Sequence, residues 1–263
     1  MSSQVNSGKD ARTAIVTGAG MGAGGLGRSI ASRLVEEGMN VLLADADPSV
    51  EQAARELNER LGVSGGERIT HFTGDLSQEN AVQAMVAHAV ACFGTVDVLV
   101  NNAGGGIIRP FLEHDAESLQ ITLARNLWTT IWCCHKALPL MVAQNHGRII
   151  NIGADSLRTG IPNHAAYNAA KGGVVGLTVG LARDWAHLDI TVNTVSPCAI
   201  NSGRLRARLE SEPALAKAFL NVIPKGRGAE VEEISDLVYF LSRKECSFIT
   251  GQDFSINGGS AMP

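Results

Sequence analysis

What this sequence lacks narrows its class before any motif is read. No apolar run is long enough to cross a bilayer, because the most apolar helix candidate, residues 131–143, is interrupted by His135, Lys136 and Pro139. No charge of one sign dominates: 22 Lys and Arg stand against 26 Asp and Glu, and the formal net charge of -4 excludes a general nucleic-acid or anionic-membrane surface. Cysteine is sparse. Cys92, Cys133, Cys134, Cys198 and Cys246 are odd in number and carry no metal-ligand spacing, so neither a disulfide framework nor a metal site is expected. They read as reduced core thiols of a cytoplasmic protein, with only Cys198, directly after Pro197, placed to face a ligand. Residues 1–10 are polar, lack the apolar centre of a signal peptide, and read as a frayed tail. No repeat or composition break divides the remainder. With 45% hydrophobic and 18% charged residues, positions 11–263 suit one large soluble domain.

Glycine, by contrast, is concentrated. Gly18, Gly20, Gly22, Gly24, Gly25 and Gly27 lie between an apolar run at 14–16, which reads as a buried strand, and helical periodicity over 28–37. Glycine lets the chain turn with positive φ and lets a ligand approach the main chain, while the free N–H groups at a helix start favour a diphosphate. The stretch therefore reads as the phosphate grip of a dinucleotide site. Its glycines fit two registers, Gly18, Gly22 and Gly24, or Gly18, Gly25 and Gly27 with a longer loop. The second is preferred, since it starts the helix at Leu26 and Gly27 and ends it normally at Gly38.

Beyond it, strands and helices alternate. A strand at 41–44 ends at Asp45, where a carboxylate can accept hydrogen bonds from the adenosine ribose and repel a 2′-phosphate, pointing to NAD; the competing reading is a cap on the turn into Pro48. A helix over 50–61, a turn at Gly65 and Gly66, and a strand at 69–73 lead to Asp75 and Leu76. Asp75 suits an adenine amino group, a cap for the helix near Gln78, or both. A helix over 81–93 and a strand at 96–100 precede Asn101, Asn102, Ala103 and Gly104. A long helix over 116–143 carries Asn126 among apolar neighbours, and strands follow at 148–152 and 190–195, separated by a helix over 165–186. Residues 198–228 lack clean periodicity and suggest a flap over the site; a helix over 230–242 and a strand over 248–257 close the chain. This order implies an α/β fold: one doubly wound Rossmann-type domain whose parallel sheet of about seven strands is covered on both faces, with ligand at the strands' carboxyl ends.

Tyr167 and Lys171 share one face of the 165–186 helix. A phenol of ordinary pKa, ~10, is a poor acid/base at neutral pH, and an ammonium one turn away favours its ionised form. With the preceding elements, the sequence closely resembles the classical short-chain dehydrogenase/reductase family over residues 12–259. The resemblance implies Tyr167 as general acid/base, Lys171 as its partner and a ribose ligand, and Asn126 as holder of a relay water. It also implies a cofactor site of Gly18, Gly25, Leu26, Gly27, Asp45, Asp75, Leu76, Asn102, Ala103, Gly104, Tyr167, Lys171, Pro197, Ile200 and Ser202, and a homotetramer or dimer paired through the long helices.

Three positions depart from the family pattern: the longer glycine loop, Cys198 in place of glycine, and Ala154 where the family places a serine that bonds the substrate carbonyl. Ser156 is a candidate replacement, and Asp155 has the wrong charge for that task. The leading expectation is an NAD-dependent oxidoreductase interconverting a secondary alcohol and a ketone. The alternatives are an NAD-binding sensor or structural subunit, and related chemistry such as imine reduction. The apolar stretch 105–108 and the flap suggest a hydrophobic or cyclic substrate. Arg204, Arg206 and Arg208, and His164, read as surface residues.

Overall fold

The computed structural model describes residues 11–22, 25–62, 68–211, 213, 217 and 220–262. Strands β1 (Thr13–Thr17), β2 (Asn40–Asp45), β3 (Ile69–Thr73), β4 (Val98–Asn101), β5 (Gly147–Ile152), β6 (Ile190–Pro197) and β7 (Asp253–Ile256) form one sheet. Their order is β3-β2-β1-β4-β5-β6-β7, and every pairing is parallel. Side chains alternate across it, as the pleat requires. Ala14, Val16, Val41, Leu43, Val98, Val100 and Ile150 face helices α1 (Leu26–Glu36), α2 (Val50–Leu61) and α9 (Val231–Ser242). Ile15, Leu42, Leu99, Ile149 and Val192 face α3 (Glu79–Phe93), α5 (Thr129–Ala143) and α7 (Ala165–Trp185). Both faces are dry, which is why these strands are nearly continuous apolar runs rather than half-polar ones. The strand order reverses at β1, whose neighbours β2 and β4 lead away in opposite directions, so a crevice opens beyond Thr17 and Asn101.

The departures from the sequence reading are local. The 116–143 helix is α4 (Ala116–Leu123) and α5 joined by a π-turn over Ala124–Trp128, and Pro139 stays inside α5. A π-turn inserts one extra residue into a helix, which apolar periodicity does not register. β7 is only Asp253–Ile256, because the turn that follows the 3-10 segment Lys244–Cys246 runs through Phe248, closed by Ile249 N–H on the Cys246 carbonyl (3.0 Å), and Gly251 bends at φ 72°; Phe248 is left fully exposed. The expected flap contains helix α8 (Gly203–Ser211), whose charged sequence hid its period. Cys92 is exposed on the outer side of α3, near His88, and is not a core thiol. Residues 1–10 and the turn at Gly65 and Gly66, like the side chains of Arg204 and Arg208, lie outside what is described; Arg206 is exposed.

At the amino ends of the strands, far from the crevice, Arg148 is fully buried. Its guanidinium donates to the carbonyls of Gly147 (2.9 Å), Asp189 (2.9 Å), Arg243 (3.2 Å) and Lys244 (3.3 Å) and to the Asp189 carboxylate (2.8 Å). One cation thus satisfies the loop ends that flank β5, β6 and the α9–β7 connection. Removing one partner of such a set strands the others without water. Arg148→Met is therefore expected to cost about 3–5 kcal/mol, lowering the melting temperature by roughly 10 °C; a loss within a degree of wild type in calorimetry would contradict this account.

Candidate active site

The glycine turn is held by its neighbours rather than by side chains of its own. Asn102 donates its amide to the carbonyls of Thr17 (3.0 Å) and Gly18 (2.9 Å), while the Thr17 hydroxyl accepts from the backbone of Asn102 (3.0 Å) and Ala103 (2.9 Å). α1 then starts directly on top of this stitch. A β-carbon at Gly27 would lie 2.4 Å from the Gly18 carbonyl oxygen, and one at Gly18 would lie 2.7 Å from the Ala103 Cα. Gly25, at φ 90°, is the N-cap of α1, and no side chain caps the helix. The helix starts where the register built on Gly18, Gly25 and Gly27 puts it, while Gly24 of the other register lies outside the described residues.

Asp45 ends β2 beside this loop. Its carboxylate accepts from the amides of Gly20 (2.8 Å) and Asp47 (3.0 Å), and the residue that follows is Ala46 rather than a basic one. Asp75 is exposed and accepts from Ser77 N–H (3.0 Å) at the approach to α3, while Leu76 is buried in the α3-side core. The Gly20 β-position faces the Asp45 carboxyl at 3.0 Å, so glycine there lets the loop close over the carboxylate.

Across the crevice, Lys171 is 3% exposed and donates to the Ile152 carbonyl (2.7 Å) at the end of β5. Burial pushes its ammonium down to about 8. Its Nζ stands 5.8 Å from the centre of the Tyr167 ring. Asn126, fully buried in the π-turn, accepts from Gly105 N–H (3.1 Å) and donates to the carbonyls of Gly105 (3.2 Å) and Thr122 (2.8 Å). It thereby pins the loop after β4 beneath the phenol, where a β-carbon at Gly106 would lie 2.9 Å from the Tyr167 ring. Gly104 packs as closely on Asn126 and Lys171. Asn126, Tyr167, Lys171 and Gly104 form one cluster. Pro197 ends β6 and accepts from Asp155 N–H (2.9 Å); Ile200 bridges Ala229, and the Ser202 backbone carbonyl receives the Arg206 amide (3.1 Å) at the start of α8.

Three side chains beside the cluster were unreadable from sequence. His164 is buried, not a surface residue: it precedes α7, its Nδ1 lies 2.7 Å from the Pro162 carbonyl, and its ring packs edge-on to Tyr167 at 6.0 Å. Asp155, 1% exposed, turns to the end of the chain, accepting from Ser260 (2.5 Å) and Asn257 (3.0 Å). Ser156 donates to Asn168 Oδ1 (2.6 Å), and its carbonyl receives the Asn168 amide (3.0 Å). The only signal for these was a polar residue next to a buried strand end. Cys198 is half-buried, and burial together with the Asp155 charge pushes its thiol up, away from a nucleophilic role. A groove of about 710 Å³ between α1, α2 and α9, lined by Arg28, Arg33 and Arg60 among others, includes Gly25 but none of the cluster around Tyr167.

Comparison with known proteins matches this arrangement. A family model described as enoyl-(acyl carrier protein) reductase covers residues 20–261. The chain is 49% identical over 253 residues to 2,3-dihydroxy-2,3-dihydro-p-cumate dehydrogenase of Pseudomonas putida, covering 96% of this chain and 95% of that protein. It is 33% identical to 1,6-dihydroxycyclohexa-2,4-diene-1-carboxylate dehydrogenase, also of Pseudomonas putida, over 94% of this chain and 92% of that one. Among solved structures, NAD+-bound xylitol dehydrogenase superposes with a TM-score of 0.84 at 30% identity, covering 94% of this chain and 98% of the other. With its doubly wound sheet, glycine turn and Tyr167–Lys171 pair, this chain belongs to the short-chain dehydrogenase/reductase family of oxidoreductases.

Proposed function

We propose that the protein oxidises a cyclic vicinal diol to the hydroxyketone with NAD, Tyr167 taking the hydroxyl proton. The observation that carries this reading is the Tyr167–Lys171 cluster at the carboxyl end of β5, in a chain so similar to a dehydrogenase of a cyclic dihydrodiol. The residues present suit the cofactor. The glycine contacts leave main-chain amides at the start of α1 for the pyrophosphate, and Asp45 supplies a carboxylate for the adenosine ribose hydroxyls with no cation beside it for a 2′-phosphate. Asp75, Leu76, Asn102, Ala103 and Gly104 line the adenine and ribose side, while Pro197, Ile200 and Ser202 border the nicotinamide. When bound, NAD accepts the hydride from the carbinol carbon.

The protein's share is proton transfer and orientation. Lys171, held on the Ile152 carbonyl, places a positive charge beside Tyr167, so the phenolate is favoured and can accept the alcohol proton. The same ammonium binds the nicotinamide ribose, and Asn126 holds the water of the relay while fixing the Gly105 loop. The Gly106 approach to the Tyr167 ring keeps the reacting face flat and apolar, which suits a ring-shaped substrate. Leu123, Trp128 and Val179 are exposed apolar residues on or beside the long helices, which supports a homotetramer paired there, and the five free cysteines suit the reducing cytoplasm.

Tyr167→Phe should lower kcat with a cyclic cis-diol by 10²–10⁴-fold, roughly the contribution of a general acid/base, and leave NAD binding intact; retained turnover in an NADH absorbance assay would refute the assignment. Asp45→Ala should reduce kcat/KM for NAD by about 10–100-fold, the worth of charge-assisted hydrogen bonds, and narrow the preference over NADP. Lys171 makes a linked prediction about stability. Its folded value, about 8, lies below the unfolded 10.5, so burial of the charge costs stability fully below pH 8 and ever less as pH rises towards 10.5. That cost is about 3 kcal/mol at pH 7. Lys171→Met should therefore abolish turnover yet raise the melting temperature of the cofactor-free protein by a few degrees at pH 7, with the gain shrinking between pH 8 and 10.

A further inference from the structure

Proton loss from an alcohol leaves negative charge on its oxygen until the hydride departs, and an enzyme ordinarily aims a fixed donor at that oxygen in addition to its acid/base. Among the described residues beside the Tyr167 cluster, the side chains that could do so are spent elsewhere. Ala154, 7% exposed and two positions beyond the carbonyl that holds Lys171, offers only a methyl group. Asp155 faces Asn257 and Ser260. The Ser156 hydroxyl donates to Asn168 at 2.6 Å while the Asn168 amide returns to the Ser156 carbonyl, a reciprocal pair that would have to break for Ser156 to turn inward. The Asn126 amide is taken by Gly105 and Thr122. His164 is engaged through its Nδ1, 2.7 Å from the Pro162 carbonyl.

We propose that the second hydroxyl of the substrate donates the hydrogen bond that the reacting oxygen needs, and that Ala154 thereby makes the enzyme selective for vicinal diols. The inference rests on the diol reading given above and adds the reason for it. The reacting O–H proton passes to Tyr167, which puts negative charge on the oxygen, and the carbinol C–H electron pair then leaves as hydride to NAD while the C=O bond forms and the charge is discharged. The neighbouring hydroxyl keeps its own proton and turns it towards the oxygen that is gaining charge. That donor is carried by the substrate itself, so its placement costs no protein ordering. A monohydric alcohol brings no such donor, and the loss of one in this position is typically worth on the order of 100-fold in rate.

The test compares cis-1,2-cyclohexanediol with cis-2-fluorocyclohexanol, which keeps an electronegative atom at the second carbon and lacks only the proton to donate. Wild type is expected to show a kcat for the diol at least ~30-fold above that for the fluoro alcohol. In Ala154→Ser the serine supplies the donor, so the ratio should fall about tenfold or more, through a rise in kcat for the fluoro alcohol with little change in KM. In the NAD-loaded Tyr167→Phe variant, calorimetry should find both compounds binding within about threefold of each other, since the donor acts on charge that is absent before reaction. Equal wild-type rates, a ratio untouched by Ala154→Ser in protein that still binds NAD, or much tighter binding of the diol would each overturn the proposal while leaving diol oxidation standing. Failure of any form to oxidise any cyclic diol would overturn the functional reading and this inference with it.

Discussion

The contact on which this structure turns is the approach of α1 to the end of β1, with Gly27 against the Gly18 carbonyl and no room for a methyl group between them. Because the helix can sit so close, its amino end meets the crevice made by the reversal of strand order, and Asn102 and Thr17 can stitch that crevice shut from the β4 side. Everything the site needs is registered to this point. Asp45 reaches the loop because β2 pairs with β1 over its full length, and the Gly104 turn reaches Lys171 because β4 pairs with β5.

On the other side of the crevice the governing term is electrostatic. A lysine ammonium 3% exposed is a destabilising element, and the Ile152 carbonyl holds it 5.8 Å from the centre of the Tyr167 ring. The fold carries that cost with two dry layers of side chains on the sheet. Arg148 does the opposite work at the far end, a buried cation whose donors are all met and which secures the ends of the strands. The two buried cations differ in how many partners each has.

The loop at 153–156 shows how the catalytic edge and the end of the chain are joined. Gly153 and Asp155 are bound to Val195 and Pro197 of β6 by backbone hydrogen bonds, while the Asp155 side chain collects Asn257 and Ser260. The final residues therefore support the wall of the site. This anchoring, with the Ser156–Asn168 pair, fixes the loop in the register that puts Ala154 just beyond the end of β5.

Much of this was fixed by local pattern. The apolar runs of β1, β2, β5 and β6, the glycine spacing, the carboxylate at the end of β2, and the Tyr167–Lys171 spacing each follow from period and reach along a single element, so they could be read before any contact was known. The register Gly18, Gly25 and Gly27 followed from where the helix could start and end, whereas the strand order is known only from the structure. What only the tertiary structure decided are matters between elements. The π-turn at Asn126, the inward turn of His164 against Tyr167, the capture of Asp155 by the end of the chain and the pairing of Ser156 with Asn168 all depend on residues distant in sequence or on a change of helical register. A polar side chain advertises that it will seek a partner, and which partner it meets is set by how the layers close.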